Sequence, residues 1–245
     1  MRTLVIGDIH GGYKGLVQLL KEAKVTKEDQ LIFLGDYVDG WSQSFEVMTH
    51  VMELALQQTC VVLKGNHDYY LEQYLDSKAF HPHWLKHGGQ STFDQYQEQD
   101  EETRQGHLQF LRTMPLYYID DQNRLFLHAG FTSPHGPERE HHQSNFFWDR
   151  TLWETAVATN SSFQKNDLLF PKRLKLFKEI YIGHTPTLHL ESRMPLHKVN
   201  VWNMDTGAAF TGALSAMDID SKEIWQSDPL ITLYPNELGR NKRKP

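Results

Sequence analysis

Five short polar motifs in this chain carry side chains able to hold a metal ion. They are Asp8 and His10 in Gly7-Asp8-Ile9-His10-Gly11, Asp36 and Asp39 in Gly35-Asp36-Tyr37-Val38-Asp39-Gly40, Asn66 and His67 in Gly65-Asn66-His67-Asp68, His128 in His128-Ala129-Gly130, and His184 in Gly183-His184-Thr185. Carboxylate, amide oxygen and imidazole together suit manganese, iron or zinc better than calcium. Asp8 and His10 stand two apart, so on extended chain they share a side and can grip one ion. Taken singly, each motif has a plain reading, because Gly-Asp after a strand is often a turn and a lone histidine is more often structural. Taken together they fit two divalent cations, and ions ~3.5–4 Å apart need a carboxylate bridging them. The chemistry such a pair supports is hydrolysis by a metal-activated water.

Each motif follows an apolar, largely β-branched run: Thr3-Leu4-Val5-Ile6, Leu31-Ile32-Phe33-Leu34, Cys60-Val61-Val62-Leu63, Leu125-Phe126-Leu127 and Ile180-Tyr181-Ile182. Two intervening segments repeat apolar residues at helical spacing, at Leu16, Leu19, Leu20 and Ala23 and at Phe45, Met48, Val51, Met52 and Leu56. Strand, polar turn, helix and strand again predicts an α/β fold with a largely parallel sheet. Strands of one sheet share a carboxyl edge, where ligands bind in such folds, so all five motifs are delivered to one rim. The glycines at 7, 35, 65 and 183 are expected to turn the backbone sharply there. Lys198 to Asn203, Leu214 to Ile219 and Ile224 to Trp225 read as strands joined by tight turns, predicting a second, more antiparallel sheet. Residues 77–115 are polar and rich in His and Gln, with weak helical periodicity at Leu108, Phe110 and Leu111, and read as a helical insertion near the site.

With 245 residues, a single domain spanning 1–245 accounts for the chain. A net charge of -6 and a pI near 6.1 give no basic field of the kind that holds nucleic acid, so no stable nucleic-acid complex is expected. The basic run Arg240-Asn241-Lys242-Arg243-Lys244 reads as part of a solvated, frayed tail over about 238–245. Cys60 is the only cysteine, which excludes an intrachain disulfide, and its apolar neighbours place it in the core. No apolar stretch approaches the ~18 residues that span a membrane, and no signal-like segment precedes Thr3, so a cytoplasmic location is expected.

The ordered set GDIHG, GDYVDG, GNHD, HAG and GHT resembles that of the calcineurin-like metallophosphoesterases, and most closely their phosphoprotein phosphatase branch, which includes bacterial and phage phosphatases and symmetrical diadenosine-tetraphosphate hydrolases. It covers residues 7 to 185. The resemblance implies an αββα sandwich of two mixed sheets flanked by helices. It implies that Asp8, His10 and Asp36 hold one metal, and that Asp36, bridging, with Asn66, His128 and His184 holds the other. His67 then resembles the general acid for the leaving oxygen and Asp39 the carboxylate that orients it, while a metal-bridging hydroxide attacks phosphorus directly. Many relatives outside this branch carry Gly-His-x-His at the last motif; Pro186 stands here at the second His position and cannot ligate.

One position departs from the branch. Its protein phosphatases read Gly-Asp-x-Val-Asp-Arg-Gly, the Arg clamping substrate phosphate, whereas this chain has Gly40-Trp41 after Asp39. Replacement cations are Arg150, in Phe147-Trp148-Asp149-Arg150, and Lys64; the alternative for each is a structural role. Trp41 offers a flat surface for a nucleobase or a phosphotyrosine ring, or packs under the second helix. Asp205 lies beside the site or serves a buried turn. His81, His83, His87, His141 and His142 show no metal-binding spacing. The function expected is hydrolysis of a phosphomonoester, on phosphoprotein or a small molecule, supported by manganese; the alternative is cleavage of dinucleoside polyphosphates or RNA-end phosphoanhydrides. A metal-holding scaffold without catalysis would lack a ligand or the acid, and none is missing.

Overall fold

The computed structural model describes residues 1–78, 81–160 and 162–241. Strands β1 (Thr3–Ile6), β2 (Gln30–Phe33) and β3 (Cys60–Val62) run parallel, linked by helices α1 (Tyr13–Glu22) and α2 (Ser44–Gln57). β4 (Tyr117–Ile119) and β5 (Arg124–Leu127) form an antiparallel pair, and β6 (Glu179–Ile182) lies parallel to β5. After them come β7 (Leu196–Lys198), β8 (Val201–Asn203), β9 (Ser215–Asp218) and β10 (Ile224–Gln226). The first sheet has the order β10-β9-β1-β2-β3 and the second β4-β5-β6-β8-β7.

Alternation along the strands explains the layering. In β1, Leu4 and Ile6 join Leu16, Leu19, Val47 and Val51 of the helices, while Val5 faces the other way. In the second sheet Leu125, Leu127, Ile180 and Ile182 face the outer helices, with Phe126 and Tyr181 turned inward. Successive side chains of a strand point to opposite faces, so apolar runs without polar alternation are strands buried on both sides. Val5, Ile32, Leu34, Phe126, Tyr181 and Met217 therefore meet between the sheets, and Phe126 stacks on Tyr181 with centroids 4.8 Å apart. The result is the αββα sandwich.

The strands beyond residue 186 do not form a sheet of their own. β9 extends the first sheet antiparallel to β1 and β10 follows it antiparallel to β9, whereas β8 pairs parallel to β6 in the second. The run from Lys198 to Asn203 is not one strand either: Val199 adopts φ +60, a costly value for a β-branched residue, and folds β7 back on β8. Cys60 is partly buried, enough to push its thiol up to about 11.

Residues 66–113 are helical over most of their length: α3 (Asn66–Ser77), α4 (Pro82–Trp84), a π-turn at Leu85–Gly89, α5 (Gln90–Gln97) and α6 (Glu101–Thr113). Trp84, Tyr96, Leu108 and Leu111 share the core layer of α1 and α2. The weak periodicity seen in sequence reflects short helices broken by Gly88 at φ +107. No helix among the described residues is long and apolar enough to cross a membrane.

Candidate metal centre

The five motifs meet at one rim, and backbone carbonyls aim the histidines. His10 Nδ1 donates to the carbonyls of Val38 and Asp39 at 3.2 and 3.1 Å, which leaves Nε2 as the free lone pair. That Nε2 lies 3.9 Å from Asp8 Oδ2 and 3.6 Å from Asp36 Oδ2. His128 Nδ1 lies 2.9 Å from the Leu34 carbonyl, so its Nε2 faces Asp36 Oδ2 at 3.3 Å and Asn66 Oδ1 at 3.2 Å. His184 Nδ1 lies 3.0 Å from the same Asn66 oxygen. A carbonyl that fixes the far nitrogen of a histidine sets its tautomer and orientation for a metal. Asp36 Oδ2 thus lies between two imidazoles, one from each half of the set.

Four residues here, His10, Asp36, Asp39 and His184, hold positive φ values of 54, 58, 73 and 67°. Such backbone is costly outside glycine and persists where surrounding contacts enforce it. For Asp36 the enforcement is visible: Asp68 accepts from the amides of Asp36, Tyr37 and Gly65 at 2.8, 2.9 and 2.8 Å. Two of the glycines supply space rather than a turn. A Cβ on Gly65 would sit 2.2 Å from Asp36 Oδ1, and one on Gly183 would sit 2.0 Å from Asp8 Oδ1. Asp8 in turn accepts from the His184 amide at 3.0 Å, tying the first sheet to the second.

This arrangement fits cations. Asp36 Oδ2, Asn66 Oδ1 and the Nε2 of His128 are buried acceptors facing one another, which is favourable only with a positive charge among them. The same conflict shows in the acid–base balance. Burial works to lower His128, but Asp36 outweighs it and the imidazole is pushed up to about 10, a proton standing where a cation would. Burial raises Asp36, yet His128, His67 and His10 together hold it well below the usual carboxylate range. Burial, with Asp205 beside it, raises Asp8 well above that range, and burial also lifts Asp205 to about 6. Burial holds His10 and His184 well below their usual value, ready to ligate without losing a proton. His10, Asp36 and His67 form one group with ligand atoms within 4.8 Å of one another, and Asp36, His128 and His184 form a second.

Next to the acceptors, His67 Nδ1 lies 2.5 Å from Asp39 Oδ2. The His67 amide donates to Asp36 Oδ1 at 3.0 Å. The Asp39 oxygen also accepts from Trp84 Nε1 at 2.6 Å, and the Asp39 amide donates to Ser44 Oγ and Thr92 Oγ1. Trp84 and Thr92 belong to the helical stretch after α3, which therefore braces the His67–Asp39 pair.

A pocket of about 170 Å³ opens over this site, and Arg150, Trp148, Tyr70, His83, His87 and Arg240 contribute to its lining. Arg150 is exposed, with Nε 3.4 Å from His184 Nε2. Its neighbour Asp149 pairs with Arg173, so Arg150 is left facing the pocket. The other two expected substrate contacts lie elsewhere. Trp41 is 0% exposed: the left-handed backbone at Asp39 and Gly40 turns it into the core, where it stacks on Tyr234 at 5.2 Å and donates to the Ala208 carbonyl. Lys64 is buried against Glu72 and does not line the pocket. Asp205 is buried, and its carboxylate accepts from the Gly207 amide at 2.9 Å.

Sequence reasoning missed Trp84, Trp148, Tyr70 and Arg240. It also set aside His83 and His87, whose i, i+4 spacing was the available signal; their rings lie 4.1 Å apart. Of the basic run, residues 242–245 lie outside the described residues, but the Arg240 backbone is fixed at the pocket by a hydrogen bond from its amide to the Ala209 carbonyl at 2.8 Å.

Comparison with known proteins agrees with this geometry. The chain is 26% identical over 227 residues to the bis(5'-nucleosyl)-tetraphosphatase PrpE [asymmetrical] of Anoxybacillus flavithermus, covering 87% of this chain and 88% of that protein. It is 26% identical over 226 residues to a symmetrical bis(5'-nucleosyl)-tetraphosphatase of a Marinomonas species, covering 91% and 72%. The fold matches that of a Saccharomyces cerevisiae protein serine/threonine phosphatase with a TM-score of 0.61 at 15% identity, over 93% of this chain and 80% of that one. A calcineurin-like phosphoesterase family model matches residues 1–212. The chain belongs to the calcineurin-like phosphoesterase family and is a hydrolase of phosphate esters or anhydrides.

Proposed function

We propose that the enzyme cleaves the phosphoanhydride chain of dinucleoside polyphosphates. The observation that carries this reading is the outer wall of the pocket, where Arg150 stands beside exposed aromatic rings. Trp148 is 37% exposed and sits edge-on to His184 at 6.0 Å, with Tyr70 at 5.8 Å behind it. A pocket of about 170 Å³ is small beside the ~300–1,000 Å³ of sites that enclose a whole ligand. Phosphates therefore enter it, and a nucleoside lies outside against Trp148 and Tyr70. The names of the two tetraphosphatase relatives support the same substrate class.

Asp8, His10 and Asp36 would hold one cation in this reading, and Asp36, Asn66, His128 and His184 the other. Bound there, two divalent ions, manganese in our reading, would supply an acidified water and offset phosphate charge. His67 donates a proton to the leaving oxygen; Asp39 and Trp84 hold its ring in place. Arg150 grips a phosphate oxygen pair, as its planar fork allows.

The test offers diadenosine tetraphosphate and phosphopeptides side by side with manganese. A stacked base contributes ~1–3 kcal/mol, so the dinucleotide is expected to be preferred by at least about tenfold in kcat/KM. Preference for the phosphopeptide would replace this reading with that of a phosphomonoesterase acting through the same residues.

A further inference from the structure

We propose that Arg240, near the end of the chain, is a phosphate-binding residue of this site, closing the pocket opposite Arg150. The inference rests on the reading of the pocket as a phosphate site and adds a residue that no sequence motif marks.

The segment leading to Arg240 is anchored onto the loop after Asp39. The Glu237 carboxylate accepts from the Ser42 amide at 2.9 Å and from Ser42 Oγ at 2.6 Å. Gly239, at φ +56, lies flat on Trp41, where a Cβ would come within 2.7 Å of the indole ring. The Arg240 stem then passes two glycines whose missing side chains make its channel. A Cβ on Gly88 would sit 2.9 Å from Arg240 Cγ, and one on Gly40 would sit 3.4 Å from it. Gly40 and Gly88 are also joined to each other, Gly40 N donating to Gly88 O at 3.1 Å. At φ +117 and +107 both positions favour glycine, so the channel is built into the backbone.

Arg240 lines the pocket that Asp36, His67, His184 and Arg150 also line, and a neighbouring one with His87 and Phe210. Cζ lies 5.5 Å from the Phe210 ring centre, a contact that supports the head from one side. Among the described residues no ion pair with a carboxylate engages Arg240, nor Arg150 across the pocket, whereas Arg2, Arg104, Arg112, Arg124 and Arg173 each have one. A guanidinium held at a fixed place beside a metal centre, with its donors unspent, is suited to a multiply charged anion. With Arg150 on the His184 side and Arg240 on the Gly40 side, the pocket grips an extended phosphate chain from two directions.

The test compares the metal-loaded full chain with Arg240→Gln, which keeps most of the stem and removes the charge, and Arg240→Lys. Thermal unfolding confirms that each variant is folded. Inorganic phosphate binding is measured by calorimetry, and KM and kcat on diadenosine tetraphosphate in parallel. A hydrogen bond to a charged group contributes ~1.5–3 kcal/mol, so Arg240→Gln should weaken phosphate binding and raise KM by about 10- to 100-fold, with a smaller effect on kcat. Arg240→Lys should recover part of the loss, since an ammonium cannot bind two oxygens in register. Exposed Arg112, substituted by Ala, serves as the charge control and should stay within about twofold. Phosphate affinity unchanged in both folded Arg240 variants would overturn the inference. Absence of hydrolysis by the parent would instead count against the proposed function, because calorimetry with phosphate reads Arg240 without turnover.

Discussion

The floor and the wall of the pocket are built in opposite ways. On the floor, His10, Asp36, Asn66, His128 and His184 are buried, and protein contacts fix their directions before any ligand arrives. On the wall, Arg150, Trp148, Tyr70 and Arg240 are at least partly exposed, and none of them lies in one of the five polar motifs. Reaction chemistry demands ions and a proton donor at fixed separations, and a 1 Å error there costs orders of magnitude. Substrate recognition tolerates longer, less confined side chains, since each contact adds a few kcal/mol at most. A rigid floor under a more open wall, on which Arg240 alone runs in a backbone channel, would let one metal centre serve different phosphate compounds.

That contrast can be broken most forcefully at His67. If His67 is the proton donor we propose, kcat of His67→Asn should fall by about 10²–10⁴ on diadenosine tetraphosphate, with metal content measured alongside because His67 also lies within reach of His10 and Asp36. The loss should shrink on p-nitrophenyl phosphate, whose leaving oxygen needs no proton. Equal losses on both substrates would place His67 among the groups that shape the floor.

Metal uptake tests the floor without turnover. His128 holds its proton to about pH 10 in the metal-free protein, against an ordinary 6.5. A cation entering at neutral pH must expel it, so manganese affinity should rise by up to about tenfold per pH unit below 10. The sign for stability follows from the same shift: the folded, metal-free protein binds this proton better than the unfolded chain. Its contribution is complete below pH 6.5 and is lost as pH climbs through 10. Calorimetry in two buffers of different ionisation enthalpy counts the released protons, and a pH-independent affinity would contradict the arrangement.

The smallest effect is expected where wall and floor are joined. Trp84→Phe deletes the indole donor to Asp39 and keeps most of the packing. Losing one hydrogen bond to a charged acceptor should cost about tenfold in kcat, with KM little changed. A change confined to stability would make Trp84 a core residue only.

Most of the floor was legible in the sequence because each candidate ligand sits within a few residues of a strand end. Parallel connections align Asp8, Asp36 and Asn66 on the edge of one sheet and His128 and His184 on that of the other, but the docking that brings the two edges together is tertiary and was not legible. The wall was not legible, for a physical reason in each case. Trp41 is adjacent to a motif but faces away, because two consecutive left-handed residues reverse the chain before it. Lys64 precedes a motif residue and points to Glu72 of α3 instead. Trp84 and Arg240 reach the site only through tertiary packing, and no local spacing encodes that. The strands after residue 186 were misassigned for the same cause. Short apolar runs reveal a strand but not which of two sheets it joins, and β9 crosses back to β1 while β8 stays with β6.

The hydrogen bond from the His184 amide to Asp8 links positions 176 residues apart. During synthesis, the chain carries Asp8, Asp36 and Asn66 long before it carries His184. Those early acceptors have no complete pocket until β6 has been made and the second sheet has docked on the first. Full metal loading is therefore tied to the closing stages of folding. A truncated or half-folded chain cannot complete the hydrolytic centre.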